Sequence, residues 1–184
     1  SDNSNVKTHF TYYGRSKFAV IRKMLSYELR KKYRKNFINK NLIRKIENGK
    51  PFIYFSLHTQ QERSTLIHAP LFVNQTQVIA KIADSLPNGY NLYVKEHPNM
   101  LTRGWREISD YKEIMNLPNV TLIHPFAKSL DIIKKSSLVI SIGGTSPLEA
   151  AFYNKPSIIL SNQDYSHLPS VHQVETLDEI PNAI

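Results

Sequence analysis

The stretch Leu138–Ala151, LVISIGGTSPLEAA, constrains this chain more than any other. A short apolar run leads into two glycines, two hydroxyl residues and a proline, and then a glutamate in a helical setting. That order describes a buried strand ending in a tight loop that opens a helix. Unpaired N–H groups at such a helix start make a seat for a phosphate. Gly143, Gly144, Thr145 and Ser146 would form the loop, and Glu149, one turn in, would accept hydrogen bonds from a ribose. The structural alternative is a capping box over Ser146-Pro147-Leu148-Glu149, in which Glu149 only satisfies the Ser146 N–H. The loop is neither a GxGxxG fingerprint nor a Walker loop, so a dinucleotide or an ATP γ-phosphate is not indicated.

The rest of the chain from Pro51 agrees with an α/β fold. Apolar runs at Phe52–Leu57, Asn91–Lys95, Asn119–Ile123, Leu138–Ile142 and Ser157–Leu160 read as strands. Helical patterns fall between them, over Leu71–Ser85, Trp105–Met115, Ser129–Lys135 and Ser146–Tyr153. This alternation predicts right-handed crossovers and a Rossmann-like parallel sheet with helices on both faces, its ligands outside the carboxyl ends of the strands. Thr176-Leu177-Asp178-Glu179 reads as a second capping box near the end of the chain. A helix opened there and soon cut points to a piece of a longer protein.

Charge divides the chain in two. The 184 residues carry a net +9, but residues 1–50 hold 14 Lys or Arg against three acids, while residues 51–184 hold 10 against 12. The basicity therefore belongs to an arm or linker, residues 1–50, and the domain of residues 51–184 is slightly acidic. Such a domain is a poor reader of nucleic-acid backbones, which demands many Lys and Arg contacts. Within the arm Ile21, Leu25, Leu29, Tyr33 and Phe37 recur every four residues among basic ones, so a helix is expected over about 16–46, broken near Asn36–Asn41. It packs on a neighbouring domain in the plainer reading and touches an anionic membrane surface in the sharper one. No apolar run approaches the roughly 20 residues that span a bilayer, and the polar first residues do not resemble a signal peptide. The chain has no cysteine, hence no disulfide or thiolate chemistry. These features fit a cytoplasmic setting.

Two further clusters fall at strand ends. Lys95-Glu96-His97-Pro98-Asn99 closes the second strand, and Pro98 holds His97 extended, aiming its imidazole over the sheet edge toward a phosphate oxygen. His124-Pro125 repeats the dipeptide after the third strand, where a structural role is favoured. After the first strand comes His58-Thr59-Gln60-Gln61-Glu62-Arg63-Ser64, a dense polar loop in which Gln60 and Glu62 suit a sugar or base and Arg63 a phosphate. The seven histidines show no i, i+4 pair, so no metal site is expected. No G-x-S-x-G elbow is present either.

FIYFSLHTQQERS, LYVKEHP and VISIGGTSPLEAAFYNKPSII, in that order, resemble the carboxyl-terminal half of capsular polysaccharide biosynthesis glycosyltransferases, which have the glycosyltransferase-B fold and include Kdo transferases. The resemblance covers about Pro51–Leu160. It implies a His-Pro motif at His97-Pro98, with His97 catalytic and facing the donor phosphate. It implies a Gly-Thr…Glu signature at Gly144, Thr145 and Glu149, with Gly143, Ser146 and Lys95 in the same nucleotide site. The family's Gln-Pro motif falls on Gln60-Gln61, where the proline is missing; His58, Gln60, Glu62 and Arg63 make up this donor sugar or phosphate loop. Such an enzyme takes a CMP- or UDP-linked sugar donor and a polysaccharide or glycolipid acceptor. It needs no metal or other cofactor, and its catalytic base belongs to an amino-terminal domain. A nucleotide-sugar 2-epimerase of the same fold is the first alternative, and a noncatalytic module binding a membrane or polyanion the second.

Overall fold

The computed structural model describes residues 17–46, 49–59, 72 and 74–184. Its centre is a six-stranded sheet, every strand parallel to its neighbours: β1 (Phe52–Ser56), β2 (Asn91–Lys95), β3 (Val120–Ile123), β4 (Leu138–Ser141), β5 (Ser157–Ile159) and β6 (Val171–Gln173). The order across the sheet is β3-β2-β1-β4-β5-β6. The chain builds outward from β1 through β2 and β3, then returns to the other side of β1 with β4. The direction of winding thus reverses between β1 and β4, where open α/β sheets hold their ligands.

Strand alternation sorts the core into two layers. Ile53, Phe55, Leu92, Val94, Leu122 and Ile140 face one way, toward α2 (Gln75–Asp84), α3 (Ile108–Met115) and the short α6 (Ile180–Ala183). Phe52, Tyr54, Tyr93, Ile123 and Val139 face the other way, toward α4 (Ser129–Lys135) and α5 (Ser146–Ala151). Covering both faces of an all-parallel sheet is what makes its strands read as unbroken apolar runs.

The basic arm is α1 (Lys17–Asn41), which ends at the far edge of the expected Asn36–Asn41 break and does not resume toward 46. No Gly or Pro interrupts it, and its last turn is pinned by burial of Ile38 and Leu42 in the first layer. Phe37 stacks on Tyr111 at 6.2 Å between ring centroids. Arg34 donates to the carbonyls of Gly104 and Trp105, each at 3.2 Å, and pairs with Glu107. Beyond α1 the chain crosses to the second layer. Ile43 pairs with Ile123 alongside β3, donating to Leu122 O at 3.1 Å while its own carbonyl accepts from His124 N at 2.7 Å. The sheet edge at β3 is thereby covered. Of the expected stripe, Ile21, Leu25, Leu29 and Tyr33 stay exposed. Among the described residues no helix is long and apolar enough to cross a membrane.

Other boundaries moved for local reasons. The helix expected from Leu71 starts at Gln75, capped by the Asn74 side chain accepting from Gln77 N at 3.3 Å; Leu71 itself lies outside the described residues. The helix expected from Trp105 starts at Ile108, because Gly104 and Trp105 adopt φ of +82° and +66° in a turn that buries the indole. The fifth helix stops at Ala151, short of Tyr153. Glu179 does not make the reciprocal capping box: it accepts from the Thr176 hydroxyl at 2.8 Å and from Glu175 N at 3.1 Å, opening a 3-10 turn before α6.

Candidate functional site

The site grows from one row across the sheet. Register places Lys95 of β2, Ser56 of β1 and Ser141 of β4 side by side at the carboxyl edge. Ser56 and Ser141 share a hydrogen bond of 2.8 Å. Lys95 is only 5% exposed. Burial pushes its pKa below 10.5, and the carboxylates of Glu96 and Glu149 pull in the opposite direction. Burying a cation is costly unless anions sit near it, and these two carboxylates offset part of that cost.

His58, two residues beyond β1, closes the row over the glycine loop. Its Nε2 accepts from Gly143 N at 3.2 Å, which puts the proton of the neutral ring on Nδ1. The Ser141 hydroxyl lies 3.1 Å from the same nitrogen and donates to the Gly143 carbonyl at 2.6 Å. Gly143 has no room for a side chain, since a Cβ there would meet Gln163 Nε2 and Ser161 Oγ at 3.0 Å. Gly144 has φ of +81°, a conformation L side chains rarely adopt. Its carbonyl accepts from the Tyr165 hydroxyl, whose pKa burial pushes up to about 12.

The start of α5 does not form the Ser146 capping box. Thr145 is the cap residue and donates its hydroxyl to Glu149 Oε1 at 2.8 Å, while Ser146 is the first helical residue. Tyr54 is buried in the layer under α4 and α5, and burial pushes its pKa up to about 12. Gly144 and Thr145 remain exposed and Glu149 half-buried, so this corner is open to solvent.

Behind the row lies a buried ionic network the sequence reading missed. Glu96 is fully buried, pairs with Arg106 Nε at 2.7 Å and accepts from the Tyr111 hydroxyl at 2.8 Å and from His97 N at 2.7 Å. Burial, then the Glu96 charge, drives the Tyr111 pKa far upward. Arg106 also donates through Nη2 to the His58 carbonyl. Gln75 grips the same residue, donating to His58 O at 3.2 Å and accepting from His58 N at 2.9 Å. The loops after β1 and β2 are thus fastened to one guanidinium. The signal available in sequence was Glu96 itself: an acid ending a central strand requires a cation, though nothing local says which.

His97 is extended, with φ of −74° and ψ of 131°, as the following proline demands. Its Nδ1 accepts from Asn99 N at 3.1 Å, so Nε2 is the nitrogen that carries the proton and can donate. His124, 1% exposed, is structural: Nδ1 accepts from Phe126 N, and Nε2 sits 3.0 Å from Asn39 Oδ1 and from Arg44. Burial, with Arg44 and Lys95 nearby, lowers its pKa. Of the expected site residues, the structure joins His58 to Gly143 directly and sets Lys95 in the same row. Gln60, Glu62 and Arg63 lie outside the described residues. Among the described residues no three His, Asp or Glu side chains gather as a metal-binding group would.

No family model matches the chain, and no curated protein matches it by sequence. Solved structures match its fold. The KpsC β-Kdo 2,7 transferase of Thermosulfurimonas dismutans superposes with a TM-score of 0.56 at 15% identity, over 89% of this chain and 49% of that one. The β-Kdo 2,4 transferase of the same KpsC gives 0.55 at 14% identity, over 85% and 50%. The UDP-GlcNAc 2-epimerase of Neisseria meningitidis, solved with UDP-GlcNAc bound, gives 0.55 at 20% identity, over 75% and 36%. The chain thus spans about half the length of the transferases it matches and about a third of the epimerase. At these identities the likeness shows the fold: one Rossmann-like half of a glycosyltransferase-B architecture, with a helix preceding it.

Proposed function

We propose that this chain is the donor-binding half of a glycosyltransferase that moves a sugar from a CMP- or UDP-linked donor to a surface or capsular polysaccharide or glycolipid acceptor. The observation that carries this reading is the nearly buried Lys95 in one row with the His58-braced Gly143–Gly144 loop. In this mechanism the donor phosphate lies against the Gly143, Gly144, Thr145 and Ser146 loop with Lys95 behind it. Glu149 takes the ribose, and the loop of His58, Gln60, Glu62 and Arg63 borders the sugar. As the acceptor oxygen bonds to the anomeric carbon, the bond from that carbon to the phosphate oxygen breaks and its electron pair stays on the phosphate. His97 Nε2–H and Lys95 stabilise that growing charge, the work metal ions do in other enzymes. The acceptor proton goes to a base outside this chain, on an amino-terminal domain that packs against the exposed face of α1. The chain alone binds donor nucleotide weakly and turns nothing over, and its setting is cytoplasmic.

Thermal-shift titration with CMP, UDP and GDP tests the binding claim. A ligand at about 100 times its dissociation constant stabilises the fold by roughly 2.7 kcal/mol, enough to rank the three bases. No shift with any of them overturns the proposal. The likeness to the epimerase at a similar TM-score favours 2-epimerisation as the second reading. The full-length protein incubated with nucleotide sugar and no acceptor separates the two, because only an epimerase converts it.

A further inference from the structure

We propose that the loop between β5 and β6, residues 160–170, sets the glycine loop for phosphate, with Tyr165 as its positioning residue; this rests on the donor-site reading above. Three consecutive carbonyls carry the argument. Ile142 O accepts from the Ser161 hydroxyl, Gly143 O from the Ser141 hydroxyl at 2.6 Å, and Gly144 O from the Tyr165 hydroxyl. In a planar trans peptide the C=O and the next N–H point opposite ways. The first of these peptides shows it: Ser161 holds the Ile142 carbonyl, and the Gly143 N–H points to His58 Nε2 at 3.2 Å. By the same geometry, holding the Gly143 and Gly144 carbonyls turns the N–H groups of Gly144 and Thr145 away from those hydroxyls. Gly144 and Thr145 are the exposed residues of the loop, at the open corner where the donor phosphate is placed.

The three hydroxyls differ in origin. Ser141 belongs to β4, so the sheet fixes its place. Ser161 and Tyr165 come from the loop after β5, which is tied by its own contacts. Ser166 Oγ donates to the Gln163 carbonyl at 2.7 Å and accepts from Gln163 N at 2.9 Å. Gln163 Nε2 in turn donates to Ser161 Oγ at 3.0 Å and to the Asn162 carbonyl at 2.9 Å. Tyr165 is half-buried and holds the residue with the most backbone freedom, since Gly144 has φ of +81° and no Cβ to limit it. With its pKa pushed up by burial to about 12, the phenol stays a donor through neutral pH.

Paired titrations of the full chain, CMP against cytidine and UDP against uridine, followed by NMR, test the idea. A phenol that only supported the fold would change nucleotide and nucleoside binding alike. Tyr165→Phe keeps the ring and removes the hydroxyl. It is expected to weaken nucleotide binding about five- to tenfold and to leave nucleoside binding within about twofold. Glycine labelled with ¹³C at the carbonyl gives one signal for each of the six glycines, and that of Gly144 is expected to move in the variant. Ser161→Ala is expected to act in the same direction, and Tyr153→Phe, whose ring lies under Lys134, to change neither. Thermal unfolding checks each fold, and should Tyr165→Phe unfold, the same comparison on Ser161→Ala decides. Nucleotide binding equal to that of the unsubstituted chain, or a loss shared by the nucleosides, overturns the inference and leaves the donor-site reading in place. No nucleotide binding by the unsubstituted chain overturns both.

Discussion

The carboxylate of Glu96 meets the guanidinium of Arg106 at 2.7 Å with both side chains withdrawn from water. Removing one member leaves the other charge buried and unpaired, which costs about 3–5 kcal/mol. Arg106→Ala and Glu96→Gln are each expected to lower unfolding free energy by that amount in urea titrations. Arg106→Ala also leaves the His58 carbonyl to Gln75 alone, so it should weaken nucleotide binding more than Glu96→Gln does. Near-native stability in both variants would contradict the network.

Gly144 tests the loop conformation. At φ of +81° an alanine is strained by about 1–2 kcal/mol. Gly144→Ala is therefore expected to destabilise the fold by that much and to weaken nucleotide affinity as the loop relaxes. Gly143→Ala acts by a different route, pushing on Gln163 and Ser161. Calorimetric titration with the best nucleotide measures both.

His97 separates folding from turnover. Under the proposed mechanism His97→Ala in a complete transferase removes the donor assigned to the leaving phosphate and is expected to lower kcat about 100- to 1000-fold. His97→Asn keeps an acceptor for the Asn99 N–H, so it should retain stability and still lose turnover. Unchanged turnover in either variant removes His97 from the mechanism.

Lys95 gives a pH signature with opposite signs for folding and binding. Its folded pKa is depressed below the 10.5 of the free side chain, so between those two values the unfolded chain binds more protons. Stability attributable to this residue is lowest below the depressed pKa and rises with pH through that window. Nucleotide affinity, which in the proposed mechanism draws on the ammonium, is expected to fall over the same window. Lys95→Met is expected to gain roughly 1 kcal/mol of stability while losing nucleotide affinity. A variant that is less stable yet binds normally would refute the assignment.

The strands were legible because segments such as FIYFS and LVIS, buried on both faces, announce themselves as apolar runs. β6 was missed: it has three residues, and His172 is exposed at the sheet's end. Trp105 reads as the start of a helix because packing, not propensity, decides its turn; Arg34 reaches across from α1 to hold the carbonyls of Gly104 and Trp105. At the site, the two glycines could be read because each needs a missing side chain, Gly144 for its positive φ and Gly143 for want of room. Arg106 could not, because its pairing with Glu96 spans a loop whose path depends on the buried indole. The capping box at Ser146 is displaced by one residue, because Thr145 is the cap and donates its hydroxyl to Glu149.

The way α1 hands over to the domain bears on any attempt to isolate it. Cutting before Pro51, where the basic stretch gives way to the first strand, would strip Ile38 and Leu42 from the interior and Ile43 from its place beside β3. The remnant would present an apolar slot and a bare strand flank, the two surfaces by which such pieces stick to their own copies. A shortened version that stays monodisperse should keep everything from Arg34 onward.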